Sequence, residues 1–446
     1  MGLFRFASLL ITLTKKPKSS KKSAFFKKNI YICRLREKIQ NREEPESSLQ
    51  HQTTMIENEN IPIPLEYQDI CPIPDKDFQT AMTILVQEPG FQNIVSLALP
   101  NYKYSQLKRV LLGLNSKHEF QVKVMRPFME GVMAKTGTRL TTSGEENLDK
   151  ELPYTFVTNH RDIVLDSAQL SYLLLKGGRD ACEIAIGNNL LIYDWITKLV
   201  RLNKSFIVKR NLGRIQTLAA AVQLSGYMHF AVQQKCASLW IAQREGRCKD
   251  SNDRTQESLI KMLAYGNRDK PFVESLKELN IAPISISYEY DPNDYLKAKQ
   301  FLCKSKNPNW RKSPDDDLIS MKTGITGHKG EVHYAFTPCI NEELDNIPEG
   351  LDKFLEVDRV CAIIDHAIHC NYRIFKTNYI AHDLLFDDHR FENEYTAEER
   401  EEFTAYLTSQ INKVQIKLSE FDRYYMLSKM LQMYSNPLTN QLEALK

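Results

Sequence analysis

Between residues 154 and 338 the chain alternates short apolar runs with longer segments whose apolar residues recur every three or four positions. The runs are YTFVTN (154–159), CEIAIG (182–187), SFIVKR (205–210), ASLWIAQ (237–243), IAPISISY (281–288) and VHYAFTP (332–338). Their length and β-branched or aromatic content suit buried strands rather than helices. LDSAQLSYLLLKG, NLLIYDWITKLVRL and RIQTLAAAVQLSGYMHFAVQQ lie between them with helical spacing. Strands separated by helices predict an α/β fold, with a mixed, largely parallel central sheet flanked by helices. Pro283 cannot donate to a ladder, so its run is expected at an edge or to begin at that residue.

On either side the pattern is helical. DFQTAMTILVQ and SQLKRVLLGL carry apolar spacings of three and four, and the polar TGTRLTTSGEENLDKELP reads as a linker. Beyond residue 345 the strand-like runs stop. Thr396 and Glu399 form a capping-box pattern, and Phe403, Leu407, Ile411, Val414, Leu418, Phe421 and Tyr425 continue one stripe until Pro437. That stripe is expected to pack on the α/β body or on a second copy. The expected organisation is a basic tail (1–54), an N-terminal helical region (55–145), the α/β domain (146–345) and a C-terminal helical region (346–446).

Charge changes the picture at the N-terminus. Residues 1–54 carry 12 Lys/Arg against 4 Asp/Glu, a net of +8, which leaves −5 for the remainder of a chain whose total is +3. This tail lacks periodicity and reads as disordered. It is open to three readings: a polybasic arm for a membrane surface or nucleic acid, a solvated tail, or an upstream segment before Met55 as the natural first residue. LFRFASLLITL is too short to span a bilayer and lacks a cleavage pattern, and no other window reaches about 18 apolar residues. Nine cysteines without a Cys-x-x-Cys pair suit reduced thiols in a cytoplasm. Cys361, His366, His369 and Cys370 have metal-like spacing but read as one helix face, so no metal is expected. GITGHKG (324–330) lacks the spacing and the following Ser/Thr of a phosphate loop.

The candidate chemistry sits where strands end, because ligands of α/β sheets bind beyond the carboxyl edge. Four runs end in polar residues: Asn159-His160-Arg161, Lys209-Arg210, Arg244-Glu245-Gly246-Arg247 and Tyr288-Glu289. In NHRDIVLD a helix opening at Asp162 places Asp162 and Asp166 on one face, with His160 at its mouth. One carboxylate accepting the Nδ1 proton leaves Nε2 free to take a proton from a hydroxyl. Either aspartate fits that role, and Asp162 is equally suited to capping the helix.

Four such motifs in this order resemble the glycerolipid acyltransferase superfamily, and their layout is closest to bacterial glycerol-3-phosphate acyltransferases. That family's first motif has Asp five positions after His; here Leu165 stands at plus five, Asp166 at plus six and Asp162 at plus two. KSFIVKR, EGR and IAPISISYEY resemble the second, third and fourth motifs. The resemblance covers residues 153 to about 291. It implies a glycerol-3-phosphate acyltransferase-like fold with His160 as general base, oriented by Asp166 or, alternatively, Asp162. It also implies an acceptor held by Arg210, Glu245, Gly246, Arg247 and Pro283, with Arg161, Lys209, Arg214 and Arg244 close enough in sequence to add to an anion site.

The implied reaction moves a fatty acyl group from acyl-CoA or acyl carrier protein to glycerol 3-phosphate or its 1-acyl derivative, in phospholipid synthesis. It needs neither metal nor organic cofactor. Its partners are the acyl donor, the phosphorylated glycerol or lysolipid and, peripherally, the cytoplasmic face of the membrane; nucleic acid is not among them. The alternatives are acylation of a hydroxylated amino-acid lipid and, in another class, a non-catalytic lipid- or acyl-carrier-binding protein of the same fold.

Overall fold

The computed structural model describes residues 61–98 and 103–446, so the basic tail read over residues 1–54 lies outside the described residues. Seven strands form one sheet: β1 (Arg139–Ser143), β2 (Thr155–Thr158), β3 (Glu183–Gly187), β4 (Ser205–Val208), β5 (Leu239–Ala242), β6 (Ile281–Tyr288) and β7 (Glu331–Phe336). Their order is β1-β7-β6-β2-β5-β3-β4, and only the β6–β7 pair is antiparallel. Five strands therefore end together at one carboxyl edge, while β1 and β7 run the other way.

The longer helices are α1 (Asp75–Leu85), α2 (Pro89–Ala98), α3 (Tyr104–Leu112), α4 (Arg126–Thr136), α5 (Leu165–Lys176), α6 (Asp194–Leu202) and α7 (Arg214–Gln233). They continue with α8 (Asp294–Lys306), α9 (Pro314–Thr326), α10 (Lys353–Cys370), α11 (Lys376–Phe386), α12 (Ala397–Ile411) and α13 (Glu420–Ala444). Alternate strand residues face opposite layers. Phe156 joins Leu170, Leu173 and Leu174 of α5, whereas its neighbour Val157 joins Tyr227 and Phe230 of α7 and Val360 and Ile364 of α10. Burial of each such side chain contributes roughly 1.5–3 kcal/mol. Because both faces are covered, β2, β6 and β7 are buried at every position. A separate core joins Phe78, Met82 and Leu85 of α1 to Trp195 and Leu202 of α6, and another unites α8, α11, α12 and α13.

Three expectations are corrected. β1 lies in the stretch read as a linker; it is an edge strand, exposed at both ends and half-buried between, that pairs with β7 through Arg139–Ser143. Pro283 is interior, since β6 lies between β2 and β7. It is accommodated because the β7 ladder stops at Phe336, paired with Ile284; Thr337 N still donates to Pro283 O (3.2 Å), but no return bond is required of the proline nitrogen. Finally, the C-terminal stripe is two helices. Residues 412–419 separate them, and a second capping box starts α13, with Asp422 N on Ser419 Oγ at 3.1 Å and Ser419 N on Asp422 at 3.0 Å. Pro437 then sits inside α13, whose buried Tyr434, Ser435 and Leu438 hold the helix through the missing bond. Among the described residues no helix is long and apolar enough to cross a membrane.

Candidate active site

The chain leaves β2 through Asn159, whose side chain replaces a strand backbone: Oδ1 accepts from Ile286 N (2.7 Å) and Nδ2 donates to Ile286 O (2.9 Å). The main chain is thereby released from the ladder just before His160. Five residues later α5 begins, and Asp166 in its first turn gathers the connection. One carboxylate oxygen accepts from Arg161 N (2.6 Å) and Asp162 N (2.9 Å) and lies 2.8 Å from His160 Nδ1. The other accepts from the Tyr288 hydroxyl at 3.0 Å. Burial, and then the Asp166 charge, push the Tyr288 phenol far above its ordinary range, so it stays a donor. Tyr334 donates to the Asp166 carbonyl (2.8 Å), fixing the same turn from β7.

Asp166 is fully buried, so its negative charge is held by hydrogen bonds alone. An ionised carboxylate only accepts, which places the His160 proton on Nδ1 and leaves the Nε2 lone pair unprotonated. The His160 side chain is 12% exposed and lies edge-on to Trp240, ring centroids 5.6 Å apart. Trp240 is itself anchored through its indole N–H on Thr158 Oγ1 at 3.1 Å. Nε2 has no hydrogen-bond partner among the described residues.

Asp162 has a different occupation. Its Oδ1 accepts from Val164 N and Leu165 N, both at 2.9 Å, which closes the turn leading into α5. Its Oδ2 faces Gly324, where an added Cβ would stand 1.8 Å away. Burial and the Asp166 charge push its acidity toward the neutral form. The carboxylate that meets His160 is Asp166.

The basic residues divide. Arg161 turns inward: its buried guanidinium closes on Asp253 (Nη1–Oδ1 2.7 Å), which also accepts from Tyr372 Oη at 2.6 Å. Burial, the largest influence, would raise the Asp253 carboxyl, but the Arg161 charge and the hydrogen bonds from Arg161 and Tyr372 together hold the group below its usual range. Lys209 is likewise engaged, on Asp69 (2.5 Å) and Gln223 (2.8 Å), tying β4 to the N-terminal segment. Pro283 is buried in β6, upstream of the carboxyl edge, and does not line the site. Arg214 is exposed at the start of α7.

Arg210, Glu245, Gly246 and Arg247 do come to the edge. Arg210 follows β4 and reaches across the end of β3, where a Cβ on Gly187 would stand 3.0 Å from its Nε, toward Glu245 after β5 (3.4 Å). Glu245 is 67% exposed, so this pair is loose and solvated. Gly246 turns the chain with φ +69° and an unobstructed backbone. Arg247 Nη1, Arg244 Nε and both polar atoms of the fully buried Gln243 are buried without a hydrogen-bond partner. Unpaired buried donors at the end of β5, the strand beside β2, are what a polar ligand would satisfy. Half-buried Lys249 adds charge here; burial, then Lys312, Lys304 and Arg247, bring its ammonium down to about 8.

Sequence reading missed Trp240, Tyr334, Asp253, Gln243 and Lys249 as parts of this constellation, and noted Tyr288 only as a polar strand end. The Cys361, His366, His369 and Cys370 side chains do not converge: His369 Nε2 faces Asp253 O (2.8 Å), Cys370 lies against His366 (3.6 Å), and Cys361 packs in the core. Lys329 of GITGHKG is buried and donates to Gly327 O at 2.7 Å.

No curated protein matches the chain. The crystal structure of the 1-acyl-sn-glycerophosphate acyltransferase PlsC from Thermotoga maritima is similar over 68% of this chain and 100% of that one, at 12% identity and a TM-score of 0.33. Residues 139–277 match the sequence model of the family described as Acyltransferase. The matched stretch opens at β1, contains the His160–Asp166 pair, Arg210 and Glu245–Arg247, and stops just before β6. That site therefore lies inside a stretch, residues 139–277, that is similar to the Acyltransferase family.

Proposed function

We propose that the protein transfers a fatty acyl group from acyl-CoA or acyl carrier protein to the hydroxyl of glycerol 3-phosphate or its 1-acyl derivative. The observation that carries this reading is the buried Asp166 at 2.8 Å from His160 Nδ1, which leaves Nε2 as the one open basic atom of the pair. Nε2 takes the acceptor's hydroxyl proton as that oxygen attacks the thioester carbonyl. The tetrahedral adduct then collapses, the C–S bond breaks, and the proton returns from His160 to the leaving thiolate. The protein forms no covalent intermediate on this route, and the reading calls on no metal or organic cofactor.

Arg210 and Arg247 are the acceptor's phosphate ligands in this reading, because they reach the edge with donors open or loosely paired, and Arg244, whose Nε is also unpaired there, adds to the same anion site. Contact with an anionic membrane surface is supported by apolar side chains beside Arg210. Ile215 is 87% exposed at the start of α7, Leu218 follows one turn later, and Arg214 supplies a cation beside them.

The test is acyl transfer from labelled acyl-CoA and acyl carrier protein to glycerol 3-phosphate, its 1-acyl derivative and a hydroxylated amino-acid lipid. Arg247→Ala should raise KM for the phosphorylated acceptor about 10- to 100-fold. Transfer to the amino-acid lipid with no loss in that variant would defeat the phosphate assignment. Sedimentation with anionic vesicles should fall for Ile215→Asp, and unchanged sedimentation would remove α7 from the membrane contact.

A further inference from the structure

We propose that His382, Asp383 and Asp388 form a site for a divalent transition-metal cation, Zn²⁺ by their donor chemistry, at the C-terminal end of α11. Helix α11 stops at Phe386, and Asp387 turns the chain back with φ +52°, so that Asp388 N bonds Asp383 O at 3.1 Å. The Asp388 carboxylate is thereby returned beside the last turn. His382 Nδ1 then lies 3.5 Å from Asp383 Oδ1 and 3.8 Å from Asp388 Oδ1, and one donor atom from each residue fits within 4.8 Å of the others.

Two of these atoms have nothing else to do. His382 Nδ1 and Asp388 Oδ1 are both buried and neither has a hydrogen-bond partner. His382 is 7% exposed, held between the rings of Phe386 and Phe391 at 4.6 and 5.0 Å, and its Nδ1 points at the two carboxylates. A charge-assisted imidazole–carboxylate hydrogen bond closes to about 2.7–2.9 Å. The gaps here are too wide for that. They approach the edge of a tetrahedron around zinc, about 3.3–3.5 Å for metal–ligand distances near 2.0–2.2 Å.

The surroundings fit the same reading. The other oxygen of Asp383 is fixed by the Tyr395 hydroxyl (2.9 Å) and Phe391 N (3.0 Å), the outer support that orients a ligating carboxylate. Phe391 N also lies 3.3 Å from Asp383 Oδ1. Asp388 is partly open to solvent, which leaves a fourth position for water. One imidazole and two carboxylates balance the charge of a dication and, lacking thiolate, suit zinc or manganese better than a soft monovalent ion. At the other end of α11, Thr377 donates to Glu289 O after β6, so the cation would pin the loop beyond α11 to a helix that abuts the sheet.

The experiment uses the full chain, stripped with chelator and titrated calorimetrically with ZnCl₂, with melting followed in parallel. The expected result is one zinc per chain and a raised melting temperature. Asp388→Ala, which removes a partly exposed side chain, should weaken binding at least 100-fold and abolish the thermal shift. Equal zinc binding by wild type and Asp388→Ala, or a wild-type melting temperature indifferent to zinc, overturns the site. His382→Gln serves as a second variant and should lose the same shift.

Discussion

The two edges of the parallel strands are built on opposite principles. At the amino edge lies a cavity of about 1240 Å³, lined by residues that precede β2, β3, β4 and β5. Its charges are matched: Lys204 and His118 meet Asp180, Lys117 meets Asp75, and Lys235 with Tyr227 meets Glu183. At the carboxyl edge stand a histidine nitrogen without a partner, a fully buried glutamine with both polar atoms unpaired, and two arginines each with an unpaired nitrogen. The amino-edge cavity contains none of these residues. Unspent hydrogen-bonding capacity marks the chemistry, because a site made to receive a polar substrate is left unsatisfied without it.

The comparison can be broken most directly at His160. His160→Ala should lower kcat about 10³-fold in protein that remains folded by circular dichroism; a smaller loss would place the base elsewhere. Acid and alkali should then act on the two edges with opposite sign. Asp294, just beyond β6, is raised to about 7 by burial and by Asp291. Its contribution to stability is present below the unfolded value near 4 and is lost as pH rises through about 7. Asp180 is held below the carboxylate range because Lys204 and His118, through charge and hydrogen bonds together, outweigh burial. Its contribution is present above the unfolded value and is lost as pH falls toward the depressed one. Denaturant unfolding from pH 4 to 8 should show wild type losing on the order of 3 kcal/mol relative to Asp294→Asn as pH rises. Relative to Asp180→Asn it should hold steady over that range and lose stability only on further acidification below about pH 4; a loss relative to Asp180→Asn as pH rises would erase the contrast.

Smaller effects sharpen it further. Lys204→Met should cost about 2 kcal/mol in unfolding free energy by leaving Asp180 with His118 as its one charged partner, yet leave kcat of the folded enzyme unchanged. A parallel loss of turnover would mean the amino-edge cavity takes part in catalysis. Tyr288→Phe removes one donor from Asp166 while keeping the ring, and should reduce kcat roughly tenfold, about 1.4 kcal/mol. Unchanged turnover would show that the main-chain donors from residues 161 and 162 orient Asp166 unaided.

The strands legible in the sequence are those buried on both faces, whose apolar runs need no partner to be recognised. β1 was not legible because its side chains are polar by design of the ladder: Thr141 meets Glu331 (2.8 Å) and both Thr141 and Ser143 face His333, so hydrophobicity carries no signal there. The His160 motif was readable as a local pattern within seven residues. The fate of Arg161 was not, because Asp253 lies 92 positions away and nothing local distinguishes an arginine bound inward from one facing solvent. Pro283 was misplaced for a related reason, since its exemption from hydrogen bonding depends on where β7 stops. The choice between Asp162 and Asp166 turned on the helix start: α5 opens at Leu165 rather than Asp162, which leaves one aspartate in the turn before the helix and gives the orienting role to the other.

That late helix start bears on how such enzymes are recognised. What Asp166 supplies is a carboxylate in the first turn after the strand, with one oxygen shared between the imidazole and two main-chain amides. The intervening segment can lengthen by a residue without altering that arrangement, provided the helix opens correspondingly later. A search that fixes the interval between histidine and aspartate would discard this chain, whereas one that asks for an acidic residue at the second position of the following helix would retrieve it and others with the same displaced count.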